Sequence, residues 1–340
     1  MPSAANKRLA HQLLHRIAEA TPAKIDAALE AAYHPDASWR GSHPLNEMTG
    51  PAAMAATVWR PLIDAFPDLE RRDVILMGGS YEGHELVAAI GHYYGTFRRD
   101  WLGIPATGRT IALRYGEVHR MLNGKIIQTT ALWDVLDVMR QAGFWPLGPS
   151  LGTEGLWPAP FTADGVMLDE QDPAVSAANL AQMRHMQVTL GDHGDIATMG
   201  RDAMLIPSQV DPWHPKLMWY GPSGIGATRG VQGFVDYHRM PWRKAFRNAI
   251  DPNHYIRVGD GNYTATGGWP SLTTEHYGAG FLGMPATGRL IKMRVMDFYL
   301  HHEGLIRENW IPMDVLHILL QMNVDVFARM QSFFRRGALG

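Results

Sequence analysis

The chain has 340 residues, 46% of them hydrophobic and 19% charged, enough to bury a core in each of about two domains. Its 31 basic and 33 acidic residues give a formal net charge of −2, so no basic excess points to nucleic acid or an anionic membrane. It contains no cysteine, which excludes thiol nucleophiles, disulfides, iron–sulfur clusters and cysteine-held zinc.

In chain order, Leu9, Leu13 and Ile17 repeat every fourth residue and predict a helix with one apolar stripe. A second helix is predicted over Ala23–Tyr33, started by Pro22 and stopped at His34-Pro35-Asp36. A short strand follows at Ala37–Arg40, then a helix from Pro51 to Phe66. Val74–Met77, Leu86–Tyr94, Thr110–Met121 and Ile126–Trp133 read as strands, the last two joined by the hairpin signal Asn123-Gly124. The helix Val135–Ala142 closes this unit at Gly143. Helices followed by a mostly antiparallel meander define an α+β domain.

The order then repeats. Leu-Gly-x-Pro-Ala-Thr-Gly-Arg is written at Leu102–Arg109 and again at Leu282–Arg289, an offset of 180 residues. The same offset pairs His34 with His214, Trp39 with Trp219, Arg114 with Arg294, and Asp134-Val135-Leu136 with Asp314-Val315-Leu316. A constant period of this length is a domain duplication rather than a solenoid. In the second copy Leu180, Met183, Met186 and Leu190 form the first stripe, and Ile291–His302 and Leu305–Ile311 form the last strand pair. The boundaries read 6–142 for the first domain, 143–173 for a Pro-, Gly- and Trp-rich connector that packs rather than swings, and 174–335 for the second domain. No apolar run approaches the ~20 residues of a membrane span, which suggests a cytoplasmic protein.

His34-Pro35-Asp36-Ala37-Ser38-Trp39, Ala65-Phe66-Pro67-Asp68-Leu69, the repeated Thr-Gly-Arg phrase and Asp134-Val135-Leu136 together make the chain resemble a tandem of SnoaL-like, polyketide cyclase-like domains of the nuclear transport factor 2-like superfamily. The resemblance implies two cones, each a bent, mostly antiparallel sheet wrapped around helices, arranged as an internal pseudo-dimer, with further homodimerisation left open. It also implies a deep apolar pocket and cofactor-independent acid–base chemistry on a small hydrophobic molecule, although the superfamily also contains non-enzymes.

Strand alternation sorts the candidate residues. Asp297, Tyr299 and His301 share one face of their strand, as do Glu117 and His119 in the first copy, and a carboxylate beside a histidine can move a proton. A face turned to solvent would show the same alternation. His34, Trp39, His214 and Trp219 are candidates for the cone mouths, with helix termination and core packing as the competing roles. Asp134 and Asp314 are either pocket residues or helix N-caps. His276 lies near a position where the family carries a histidine, and Glu308 and Trp310 fall on the last strand, in the family's Glu-x-Trp pattern. Where family cyclases carry a final-strand acid, this chain has Ala131 and Ile311, which counts against ring closure by that group. The polar candidates differ between the copies, so one active cone, the second, is expected. No metal site is expected, since His11 and His15, spaced i, i+4, lack an evident third ligand.

Overall fold

The computed structural model describes residues 3–191, 200–250 and 253–337. Its contacts divide the chain into two compact units: Met1–Pro146 with Phe161–Glu170 and Asn323–Gly340, and Leu147–Pro160 with Gln171–Met322. These units are bounded differently from the expected domains. The connector is shared out, with Val166 bridging to Leu76 in the first unit and Thr153 to Ala227 in the second. The C-terminal residues expected to finish the second domain belong to the first unit.

In the first unit, α1 (Ser3–Ala18) and α2 (Ile25–Ala32) precede β1 (Tyr33–Gly41) and β2 (Glu47–Thr49). The predicted third helix is present but composite: α3 (Pro51–Met54), a π-helical turn (Ala55–Trp59) and α4 (Arg60–Ala65). The strands β3 (Glu70–Tyr81), β4 (His84–Thr96), β5 (Thr110–Leu122) and β6 (Lys125–Trp133) follow, then α5 (Val135–Gln141). The sheet runs β2-β1-β6-β5-β4-β3, with β1 parallel to β6 and the other pairs antiparallel. Ile17, Leu29, Trp59 and Ile63 are buried among the helices, which places the core against the sheet.

The second unit opens with α6 (Pro173–Gly191), the helix marked by the Leu180–Leu190 stripe, and α7 (Pro207–Val210). β7 (Trp213–Tyr220) and β8 (Ala227–Arg229) lead into α8 (Gly230–Phe234), a second π-helical turn (Val235–Arg239) and α9 (Met240–Ala245). β9 (Phe246–Ile250), β10 (His254–Asp260), β11 (Tyr263–His276), β12 (Leu290–His302) and β13 (Leu305–Trp310) complete the sheet, ordered β10-β11-β12-β13-β7-β8 with β9 on β11. α10 (Val315–Gln321) follows, and α11 (Val326–Gly337) belongs to the first unit. Strand β4 pairs with β5 without interruption, whereas the β11–β12 register shifts between Gly268 and Leu272. Such a bulge bends a strand and re-aims its side chains; Ser271 and Leu272, beyond it, face the interior cavity of this unit.

The duplicated phrase is a backbone device. Leu102-Gly103 and Leu282-Gly283 take left-handed φ values of 52° and 74°, and 51° and 75°. Gly108 and Gly288 do the same at 68° and 67°. Thr107 and Thr287 each accept a hydrogen bond from the backbone N–H two residues on, at 3.2 and 3.4 Å. A left-handed turn of this kind favours glycine for lack of a Cβ.

Candidate active site

The two cones differ inside. In the first, Arg71 is fully buried and donates to Glu117 Oε2 at 2.6 Å, while its Nη2 lies 2.9 Å from Asp73 Oδ1. Tyr93 Oη and Trp133 Nε1 donate to Glu117 Oε1 at 2.9 and 2.8 Å. Tyr115 Oη donates to Asp73 Oδ1 at 2.5 Å. Trp39, Trp59 and Trp133 meet edge to face around this cluster, with ring centroids 5.7 to 6.5 Å apart. Burial opposes ionisation of Glu117, but the Arg71 guanidinium and His119 overcome it and hold the carboxyl at about 2. Glu117 and His119, expected as a proton-transfer pair, are therefore parts of a buried ion network: His119 Nε2 lies 3.4 Å from Glu117, and its Nδ1 bonds Thr129 at 2.9 Å.

In the second unit a cavity of about 540 Å³ opens instead. Its walls include Trp213, Trp219, Phe234 and Trp242 on the aromatic side, and Asp297, Tyr299 and Asn309 from the sheet. The replacements that hollow it are visible at the repeat offset: Trp59, the last residue of the first π-turn, corresponds to Arg239, and Trp133 to Met313. Both Arg239 and Met313 line the cavity.

Asp297 and Tyr299 lie on the wall as strand parity requires, and Asn309, opposite Tyr299 in the ladder, joins them. Burial raises the Asp297 carboxyl to about 7, against smaller opposing hydrogen bonds from Asn309 and Tyr299. Burial likewise drives the Tyr299 phenol well above its ordinary value, so it stays protonated and donates. Asn309 spends an amide N–H on the Phe298 carbonyl at 3.1 Å, which fixes its orientation.

His301 shares that strand face but lies off the cavity wall. Its Nε2 bonds Thr264 at 2.9 Å and its Nδ1 bonds Gln182 at 2.7 Å, and burial lowers it to about 4, so it is a neutral structural group. Glu308 and Trp310 are corrected by parity as well. They pair with Leu300 and Phe298, residues of the opposite face, so the inward positions of the last strand are Asn309 and Ile311. Glu308 accepts from Tyr220 Oη at 2.9 Å, and Trp310 donates to the Pro158 carbonyl at 3.0 Å.

Asp134 and Asp314 are N-caps, accepting from the N–H of Asp137 at 3.0 Å and of His317 at 3.1 Å, and each also pairs with an arginine, Arg114 or Arg294. His34 and His214 accept from backbone N–H groups two residues on, at 3.3 and 2.9 Å, and serve their own strand starts. Trp39 is core, while Trp219 lines the cavity with His238 stacked on it at 4.0 Å. His276 is buried against Phe246 and bonds Thr287 at 3.1 Å, away from the cavity lining.

The third partner missing from the sequence reading of His11 and His15 exists. Asp73 Oδ2 lies 2.9 Å from His15 Nε2 and 3.8 Å from His11 Nε2. The same carboxylate is already paired with Arg71, whose charge opposes a cation there.

The sequence reading missed His238, Arg239, Trp242 and Arg243. Their i, i+3/i+4 spacing was the available signal, since it puts four large polar or aromatic side chains on one helical face.

Each unit is a mixed sheet packed with helices, an α+β arrangement. Residues 11–142 of the chain match the model of the SnoaL-like polyketide cyclase family. Similar solved structures include AclR, a putative hydroxylase from Streptomyces galilaeus, at 18% identity and TM-score 0.35, covering 42% of this chain and 97% of that one. TsrD from Streptomyces laurentii shares 23% identity at TM-score 0.33, covering 40% and 96%. IdmH, a putative polyketide cyclase from Streptomyces antibioticus, shares 18% at 0.33, covering 39% and 97%. No curated protein matches the chain. Among the described residues no helix is long and apolar enough to cross a membrane.

Proposed function

We propose that the second unit is a cofactor-independent acid–base enzyme of the isomerase, lyase, cyclase or hydrolase type, and that its substrate is a small, largely apolar carbonyl, epoxide or aromatic compound. The observation that carries this reading is Asp297: among the described residues lining the cavity it is the one carboxyl, and burial moves it to about 7. A carboxyl poised there is divided between its acid and base forms at neutral pH, the condition in which it can both take and return a proton. In this reading Asp297 acts first as the base toward a C–H beside a carbonyl. Tyr299 and Asn309 hold its oxygens, and the aromatic wall binds the apolar body of the substrate. The first unit, with its interior filled by Trp39, Trp59, Trp133 and the Arg71–Glu117 pair, serves as scaffold.

Incubating the chain with a library of hydrophobic carbonyls, epoxides and phenolics, followed by mass spectrometry, tests the proposal. Conversion by the native chain is expected to fall by about 100-fold or more in Asp297→Asn. Unchanged conversion in that variant would remove Asp297 from the chemistry. Binding without conversion would favour a non-catalytic carrier built on the same cavity.

A further inference from the structure

The cavity is chemically lopsided. Among the described residues Arg184, Arg239, Arg243 and Arg257 line it, against the single carboxyl of Asp297. Arg239 spends its hydrogen bonds on neutral acceptors, Gln209 Oε1 at 2.7 Å and the Met204 carbonyl at 3.4 Å, and Arg243 donates to the Leu190 carbonyl at 3.0 Å. Burial lowers Arg239 to about 10, helped by repulsion from Arg243, as expected of cations packed together.

Among the polar atoms of the lining residues without a hydrogen-bond partner, beside Trp213 Nε1 and His238 Nδ1, are Arg257 Nε and Thr266 Oγ1, with Thr266 only 2% exposed. Buried donors without acceptors are costly and rare. The ladder places the latter two together. Arg257 pairs with Thr266 across β10 and β11, and Thr266 pairs with Asp297 across β11 and β12. Directly opposed residues share a sheet face, so Arg257, Thr266 and Asp297 form one inward row, its ends two strand spacings or roughly 10 Å apart. The other end of the Arg257 guanidinium is held, with Nη2 3.2 Å from His254 Nδ1 and 3.4 Å from its Nε2.

We propose that Arg257 and Thr266 form an anion subsite, so that the molecule taken by this cavity carries a carboxylate on an aromatic or apolar body. The carboxylate accepts from Arg257 Nε and Thr266 Oγ1, and the ring lies against Trp213, Trp219 and Trp242. This assignment rests on the acid–base reading of Asp297 for its place in a reaction, but not for the binding itself.

The test is calorimetric binding of 2-naphthoate and of its neutral isostere 2-naphthamide to the full chain. The acid is expected to bind about tenfold tighter than the amide, matching one charge-assisted hydrogen-bond pair. Arg257→Gln and Thr266→Val are each expected to lower affinity for the acid several-fold while leaving the amide within about twofold, since neither touches the aromatic wall. Thr266→Val keeps side-chain shape and removes an unpartnered hydroxyl, so it guards against loss of fold. Equal or tighter binding of the amide, binding of neither probe, or an acid preference that survives both substitutions would overturn the subsite. If the acid preference holds but Asp297→Asn leaves conversion untouched, the subsite stands and the catalytic reading falls. If the reverse is found, only the subsite falls.

Discussion

At the scale of single residues, the two acids that stand at the same offset as the repeated phrase have opposite electrostatic fates. Glu117 is held ionised by the fully buried Arg71, while burial without a cationic partner pushes Asp297 to about 7. Asp297 has a folded value above its ordinary 3.8, so between these values the native state holds a proton that the unfolded chain has lost. Stability therefore falls as pH rises through that window, by up to about 4 kcal/mol once ionisation is complete. Asp297→Asn is expected to melt at a higher temperature than the native chain at pH 8, but at nearly the same temperature at pH 4, while losing turnover. If Asp297 acts as the base, kcat/KM of a confirmed substrate rises with pH through about 7. Glu117→Gln is expected to destabilise the first unit by about 3 kcal/mol, because it leaves the buried Arg71 short of an anion. Urea unfolding measures this loss, and ligand binding in the second unit should be unchanged.

At the scale of elements, much of the sequence shared by the copies serves backbone geometry and helix ends. Asp134 and Asp314 satisfy the first N–H groups of α5 and α10 and also hold Arg114 and Arg294. Asp314→Ala is expected to cost about 1–2 kcal/mol in a thermal or urea melt, the upper part of the capping range. Gly283 stands at φ 75° with nothing within 4 Å of the Cβ it lacks, so Gly283→Ala tests the left-handed backbone alone and should cost about 1 kcal/mol. Two elements also distinguish the hollow cone. Its π-turn ends on Arg239 rather than Trp59, and the β11 bulge after Gly268 brings Ser271 and Leu272 to the cavity.

At the scale of the whole molecule, the chain does not divide at a single linker. α11 belongs to the first unit, with Val326 and Met330 buried and Phe327 5.9 Å from His43. Removing residues 323–340 is expected to lower the stability of the first unit by more than about 3 kcal/mol, the contribution of two buried apolar side chains. Hydrogen exchange should rise around His43, between β1 and β2, while affinity for a ligand of the second unit is retained. Loss of that binding with no change around His43 would reverse the assignment of α11.

The sequence by itself determined the repeated phrases at a constant offset, the α+β order of elements, and the strand parity that puts Asp297 and Tyr299 on one face, and it narrowed Asp134 and Asp314 to a cap or a pocket role. Each follows from local periodicity or from a repeat read along one chain. On the last strand the Glu-x-Trp likeness pointed to Glu308 and Trp310, whereas the ladder turns Asn309 between them to the cavity. Only the tertiary structure decided which cone is hollow. That outcome is a volume balance among side chains far apart in sequence, Trp59 and Trp133 in one copy against Arg239 and Met313 in the other. It also decided that Arg257 and Thr266 share a row with Asp297, because a ladder register is set by pairing between strands and not by the order of residues within one.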